Sequence, residues 1–330
     1  MGRLKPALVL VVGALSGFAP EALAAVIEAG PGTPNPTLAV GVRRARDGDT
    51  IRLAAGTYYE CAVLTQRDLV LEGVGPETRL TDATCEGKAV LVGRGDRLTV
   101  RNLTLSRARV PDHNGAGLRS EGQGLTLDRV RFENNEVGVL GGPPGPGVIL
   151  VQDCVFERGG VARDQPTAAL AIGEIGQLRV ERSRFEGVKG TQIVSAATET
   201  IITGSTIATG VEDGAGAAVQ ASGALLLTDS TLALGPNAPP RGAAIRVTGS
   251  TVAVRGARLV NTTGQPAILL LNWGSGTPEL SGNTVAPGDT AVSSAGRWRY
   301  EAGRLKRTLS EEARHTAGAA KRALKEAMGR

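Results

Sequence analysis

The segment LTVRNLTL, residues 98–105, recurs in three variants further along the chain: LTLDRVRF (125–132), ILVQDCVF (149–156) and LRVERSRF (178–185). Each copy contains a short alternating aliphatic strand, a polar turn and a closing apolar residue. Alternation of apolar and polar residues is typical of a half-buried β-strand. A repeat of this size predicts a solenoid, in which each unit buries its apolar face against its neighbours.

Two series of apolar residues continue the repeat over most of the chain. The first, at intervals of 22 to 29 residues, consists of Leu105, Phe132, Phe156, Phe185, Ile207, Leu232, Leu259 and Val285. The second consists of Leu118, Val139, Leu170, Ile193, Val219, Ile245, Ile268 and Val292. No repeat has ten or more residues of helical periodicity, which excludes leucine-rich, ankyrin and βαβ arrays. The pattern predicts a parallel β-helix of about nine or ten coils.

The composition agrees with this architecture. Glycine accounts for 46 of the 330 residues, and aromatic residues for only 3 %. Stacked coils place like side chains above one another, so slim aliphatic residues are enough to fill the interior. Near the start of the solenoid, the amphipathic stretch from Thr37 to Ala45 predicts a helix that plugs the first coil and covers its unpaired strand edges.

The segment DGDTIRLAAGTYYE (47–60), followed by the recurring LxVxxxxF coils, resembles the pectin-lyase-like superfamily. The resemblance covers residues 26–295 and implies an all-β fold, a right-handed single-stranded parallel β-helix. That superfamily includes lyases, hydrolases, epimerases and adhesins. The resemblance therefore implies a fold and leaves the activity open.

Residues 1–25 have the features of a secretory signal peptide. Arg3 and Lys5 precede an apolar run, and small residues follow it. Pro20 and Glu21 interrupt this run before it reaches the length of a membrane span. We therefore expect export to the periplasm or the medium, and no transmembrane span in the mature protein.

The chain has three cysteines, and export makes a disulfide possible. Cys61 and Cys85 are 24 positions apart, which is one coil, so they can lie in neighbouring coils at bridging distance. We predict a disulfide between them, the alternative being two unpaired thiols. Cys154 aligns with Val130 and Ser183 of the adjacent copies, which predicts a small buried residue.

Residues 296–330 differ in character from the solenoid. They contain ten Lys or Arg and four Glu, a net charge of +6, against +5 for the whole chain. Thr308 and Glu311 form a capping-box pattern that predicts a basic amphipathic helix extending to about Met328. This tail could cap the final coil, project as a basic appendage, or contact anionic envelope surfaces or acidic glycans. It has the charge but no motif for nucleic acid, which we do not expect as a partner.

Three successive coils place a glutamate directly after the closing phenylalanine: Glu133, Glu157 and Glu186. In register, these carboxylates form a column with spacings near those of glycosidase acid pairs, or a set able to bind Ca²⁺. Neighbouring Arg129, Asp153 and Arg182 favour the simpler interpretation, a solvated charge ladder on the outer surface. We expect no resident cofactor or metal, with Ca²⁺ an option only if the protein is an enzyme.

A second candidate is the segment from Asp112 to Glu121. It combines Asp112, His113, Arg119 and Glu121 on one turn and the strand that follows, and a histidine near neutral pKa can act as a general base. Asp112 and His113 are therefore candidate catalytic residues, and Arg119 and Glu121 candidate substrate-binding residues. An ordinary turn at Asn114–Gly115 is the alternative interpretation.

Trp273 could stack on a sugar ring, or cover the end of the core. In the exported bacterial β-helix proteins that the chain resembles, successive coils have polar segments where this sequence has small or apolar ones. Those segments here are 168–173, 190–197 and 218–223. The resemblance thus implies a divergent member that has lost much of a polar groove.

These observations predict a non-catalytic exported protein whose elongated face binds a polysaccharide or an envelope partner. The alternative is a polysaccharide lyase, hydrolase or epimerase that uses the glutamate column or the segment from Asp112 to Glu121. The sequence leaves the oligomeric state open.

Overall fold

The computed structural model describes residues 24–160, 167–209, 217–238 and 242–295. Within these ranges the chain forms thirty short strands in three parallel sheets, with one helix. Successive strands visit sheets A, B and C in turn, and one circuit of the three is one coil. The predicted all-β parallel β-helix is therefore confirmed, with ten coils in the described chain.

The elements of the described chain have the following bounds. The helix is α1 (Leu38–Arg44). Sheet A consists of β1 (Val26–Ala29), β2 (Thr50–Leu53), β5 (Asp68–Gly73), β8 (Arg97–Arg101), β11 (Gly124–Asp128), β14 (Gly145–Gln152), β17 (Ile175–Glu181), β20 (Glu199–Thr203), β23 (Ala224–Thr228), β26 (Val252–Arg255) and β29 (Glu279–Ser281). Sheet B consists of β3 (Gly56–Tyr58), β6 (Thr78–Thr81), β9 (Thr104–Ser106), β12 (Arg131–Glu133), β15 (Val155–Glu157), β18 (Arg184–Glu186), β21 (Thr206–Thr209), β24 (Thr231–Leu234) and β27 (Arg258–Asn261). Sheet C consists of β4 (Ala62–Leu64), β7 (Ala89–Gly93), β10 (Ala116–Ser120), β13 (Val137–Gly141), β16 (Ala168–Ile172), β19 (Thr191–Ser195), β22 (Val219–Ala221), β25 (Ala243–Val247), β28 (Ile268–Asn272) and β30 (Thr290–Ser293).

The interior is built of stacked identical positions. Phe132, Phe156 and Phe185 are in register and stack face to face, with 4.6 Å between neighbouring ring centroids. Across the interior, a Cβ on Gly138 would lie 2.7 Å from the ring of Phe156. Glycine therefore makes room for the aromatic stack, which accounts for part of the high glycine content.

The turn from sheet A to sheet B has the same backbone in eight successive coils. One residue of each turn has a positive φ, between 46° and 63°. These residues are Asn102, Arg129, Asp153, Arg182, Gly204, Asp229, Gly256 and Gly282. Left-handed backbone is unfavourable for an arginine. Arg182 is held there by two hydrogen bonds to Asp153, 2.9 and 3.0 Å long.

One expectation about the strands needs correction. Ile268 is not a member of the second apolar series, because Leu270 pairs with Ile245 and Ile268 pairs with Ala243. The run of four aliphatic residues at 268–271 has no alternation from which the register could be inferred. The glycine- and proline-rich stretch at 141–147 is partly strand, since β14 begins at Gly145, with a register irregularity before Val148.

The helix predicted within Thr37–Ala45 is present as α1. Thr37 caps it, since its Oγ1 accepts a hydrogen bond from the Val40 N–H, 3.2 Å away. Leu38 is fully buried, and α1 packs against β1, β2 and β4 at the amino-terminal end of the solenoid. The predicted signal peptide up to residue 23 and the predicted helix of the 296–330 tail lie outside the described residues.

The cysteines are placed as predicted. Cys61 and Cys85 form a disulfide that joins two neighbouring coils, with 5.5 Å between their Cα atoms. Cys154 is buried, and burial raises the pKa of its thiol to about 12. The thiol of Cys154 is consequently inert and serves as a packing group.

Candidate functional site

The glutamate column exists. Glu133 pairs in register with Glu157, and Glu157 with Glu186, on the outer face of sheet B. Three stacked carboxylates would repel one another unless cations lay between them.

Arginines supply those cations. Arg79 donates to Glu133 over 2.9 Å, and Arg158 also contacts this carboxylate. Glu157 accepts from Arg131 over 2.5 Å, and Glu186 lies 2.9 Å from Arg184. These contacts favour the charge-ladder interpretation, because every carboxylate of the column is already held by a guanidinium.

The segment from Asp112 to Glu121 forms one turn and the strand that follows, as expected, but its polar residues lie at the two ends of that strand. Asp112 and His113 are exposed at the turn before β10, and His113 Nδ1 lies 3.6 Å from buried Glu136. Arg119 and Glu121 lie at the opposite end of β10. A five-residue strand is about 16 Å long, so the histidine and the second acid are held apart.

Glu136 explains the shape of this turn. Its carboxylate is almost fully buried and accepts hydrogen bonds from the N–H groups of Gly115, at 2.7 Å, and Val110, at 3.2 Å. A buried carboxylate bonded to two backbone amides fixes a loop. His113 is therefore placed beside a structural group, and the turn itself lies at Pro111–His113, just before the Asn114–Gly115 pair.

Glu121 belongs to a charge network at the carboxyl end of sheet C. Lys88 donates to it over 2.6 Å and Arg94 over 2.9 Å. The hydrogen bond from Lys88 is the largest cause that lowers the pKa of Glu121, with burial opposing it and Arg94 reinforcing it. Arg119 lies further away, 4.0 Å from the Glu121 carboxylate.

The outer face of sheet C has one column that crosses the central coils. In register along the solenoid it consists of Arg119, Leu140, Ala171, Val194, Gln220, Arg246 and Leu271. A shallow groove of about 460 Å³ runs over its first part, lined by Arg119, Leu140, Ala171 and Val194 among others. The floor between the two arginines is thus mainly aliphatic.

Arg246 is the unusual member of this column. It is half-buried, and burial lowers the pKa of its guanidinium. In the described part of the chain it forms no salt bridge, whereas Arg52 and Arg101 on sheet A each contact Glu72. Sequence analysis missed it, although its position one residue after Ile245 of the second apolar series was the available signal.

Trp273 lies at the same edge of sheet C as Glu121, six strands away, which is about 29 Å. Its indole is half-buried, and Nε1 donates to the carbonyl of Ala295 over 2.9 Å. This contact favours the end-covering role. Stacking on a sugar stays a prediction.

A charge ladder on sheet A also escaped sequence analysis. Glu28, Arg52, Glu72, Arg101 and Asp128 pair in register in successive coils. Glu72 bridges Arg52, at 2.6 Å, and Arg101, at 2.5 Å. Burial on its own would raise the pKa of Glu72, but the hydrogen bonds from the two arginines outweigh it and hold the pKa below its ordinary value.

Within the ranges that the structure describes, no three His, Cys, Asp or Glu side chains are arranged to hold a metal ion. The described helix is too short to cross a bilayer, and the same ranges hold no apolar helix of membrane-spanning length.

Comparison with known proteins found similar solved structures but no match in sequence. No family model and no curated protein matches the chain in sequence. Among solved structures, it is similar to a pectin methylesterase from Aspergillus niger (13 % identity, 84 % of this chain, 94 % of that chain, TM-score 0.48). It is also similar to a pectate lyase (11 %, 82 % and 82 %, 0.44) and to a pectin methylesterase from Yersinia enterocolitica (11 %, 80 % and 95 %, 0.42). With TM-scores below 0.5, these similarities add no argument about function, and the β-helix assignment rests on the strand register of this chain.

Proposed function

We propose that this protein is an exported, non-catalytic binding protein for an acidic polysaccharide, which lies along the outer face of sheet C. One observation carries the proposal: Arg246 places a half-buried guanidinium on an open face where no described carboxylate pairs with it. Partial burial of a cation costs free energy that an anionic ligand would recover.

The position of Arg119 extends the argument from one residue to a line. Arg119 and Arg246 belong to the same column, five strands apart, which is about 24 Å. Arginine binds carboxylates and sulfates with two parallel hydrogen bonds. The aliphatic floor between them suits the C–H faces of sugar rings. A linear acidic glycan would therefore place anionic groups on the two arginines and the faces of its sugar rings on the floor.

The remaining features fit a binding role in an oxidising compartment. The disulfide is typical of exported proteins. The candidate acids Glu133, Glu157 and Glu121 are each bound by lysine or arginine. A general acid or nucleophile must instead be available to the substrate.

The test is binding of a polyuronate and of a neutral glucan to the full chain and to Arg246→Gln. We expect the polyuronate to bind, the glucan to bind much less, and Arg246→Gln to weaken polyuronate binding about tenfold, because one charge-assisted contact is lost. Arg258→Gln is the matched control, since Arg258 is exposed on sheet B. Equal affinity in both variants would refute the proposal.

The enzymatic alternative, which would use the in-register glutamate column, is tested with the native chain and Glu157→Gln. Release of unsaturated or reducing ends is measured with and without Ca²⁺. Turnover that Glu157→Gln abolishes would show that the protein is a polysaccharide-cleaving enzyme. Binding without turnover supports the proposal.

A further inference from the structure

The last coil of the described chain leaves the apolar interior open. Leu280 continues the inward column of Val254 on sheet A, and Val292 continues that of Leu270 on sheet C. Val254 and Leu270 are fully buried, whereas Val292 is 41 % exposed and Leu280 is only half-buried. The apolar core therefore ends at a surface.

The exposure at this surface involves several residues of the last coil. Val285, in the same coil, is also a half-buried member of an inward column and packs against the core. In every earlier coil the equivalent positions are interior. In the last coil, Leu280, Val285 and Val292 are partly exposed and thus form one apolar patch. Terminal units of a repeat protein need a cover with a polar outer face.

The described chain ends at Ala295, three residues after Val292. Ala295, two residues after β30, is held by the hydrogen bond from Trp273 at the end of the solenoid. Thirty-five residues, 296–330, follow it, which is more than the 22 to 29 residues of one coil. They include apolar Leu305, Leu309 and Leu324 among ten basic residues. Length, point of origin and composition all suit a segment with one apolar and one charged side.

We propose that residues 296–330 dock on the open end of the β-helix and cover Leu280, Val285 and Val292. The basic side chains of the segment would then face solvent and provide the polar outer face that the last coil lacks. The competing occupant is the same patch of a second copy of the chain, which would join two solenoids end to end.

The experiment compares the full chain with a chain that ends at Ala295, by hydrogen-exchange mass spectrometry. We expect truncation to lower the protection of amides in β28 and β30 roughly tenfold or more and leave β5 to β11 unchanged, because solenoid coils open locally. The melting temperature should fall by roughly 3–6 °C. Unchanged protection in β28 and β30 would overturn the proposal.

Two point variants of the full chain test the same contact without deleting residues. Val292→Asp should reproduce the loss of protection, whereas Val148→Asp should not, although both valines are 41 % exposed. In the truncated chain, Val292→Asp should have no further effect. Light scattering decides between the occupants: a monomeric full chain agrees with the proposal, and a dimer that Val292→Asp dissociates refutes it in favour of a second copy.

Discussion

The two ends of the solenoid are built differently. At the amino-terminal end, α1 lies over the first coil, and Leu38, Ile51 and Leu53 are fully buried. At the carboxy-terminal end, the described chain finishes on a coil whose interior valine, Val292, is 41 % exposed. Each coil contacts only its neighbours, so the end coils have half the support of a central coil. We therefore expect the terminal coils, and what covers them, to limit the stability of this fold.

The same asymmetry is repeated in the cross-links between coils. The amino-terminal end has the disulfide between Cys61 and Cys85, and Glu72 bridged by two arginines. The carboxy-terminal end has the exposed pair of Arg255 and Glu279, 2.8 Å apart. Removing these features one at a time measures how much each contributes to the difference between the ends.

The largest effect is expected for Leu38→Ala. Removal of a fully buried leucine from α1 should cost about 3 kcal/mol and open the first coils. Thermal unfolding and hydrogen exchange of β2 to β5 measure the change. Val292→Ala, at the opposite end, removes a smaller and half-exposed group, and a cost as large as that of Leu38→Ala would contradict the comparison.

The next effect is expected for loss of the disulfide. Replacing both Cys61 and Cys85 by alanine frees a loop with a sequence separation of 24 and should cost about 2–3 kcal/mol. Urea unfolding of this variant, and of the native chain with and without reductant, provides the measurement. Reductant should have no effect on the double variant, because Cys154 is buried and bonded to no other cysteine.

The smallest effect concerns the ladder carboxylates and depends on pH. The lowered pKa of Glu72 means that the folded state favours its ionised form, so this stabilisation is present above pH 4.5 and is lost as the pH falls through the lowered pKa. Glu72→Gln should cost about 1–2 kcal/mol at pH 7 and flatten the acid side of the stability profile. Glu279→Gln should change stability little, because this pair is exposed. Identical acid profiles for the native chain and Glu72→Gln would contradict this account.

Sequence periodicity predicted the fold well, because stacking forces identical positions into register. The phenylalanine stack, the glutamate column and the disulfide all follow from a spacing of about one coil. The same reasoning failed at Ile268, where four consecutive aliphatic residues carry no alternation.

The candidate site was predicted less well, because proximity in sequence is a poor guide within an extended strand. His113 and Arg119 are six residues apart, and β10 separates them by most of its length. Arg246 is distant in sequence from Arg119 and yet belongs to the same column. The alignment of Arg119 with Arg246 becomes visible only when the register of every coil between them is known.

The alternating charges on sheet A restrict how the number of coils can change. Deleting the coil that contains Glu72 would place Arg52 directly against Arg101, and deleting the next would place Glu72 against Asp128, each a contact between like charges. Removing both coils together would instead set Arg52 beside Asp128 and restore attraction. A change by pairs of coils therefore keeps opposite charges adjacent in this ladder, whereas a change by a single coil does not.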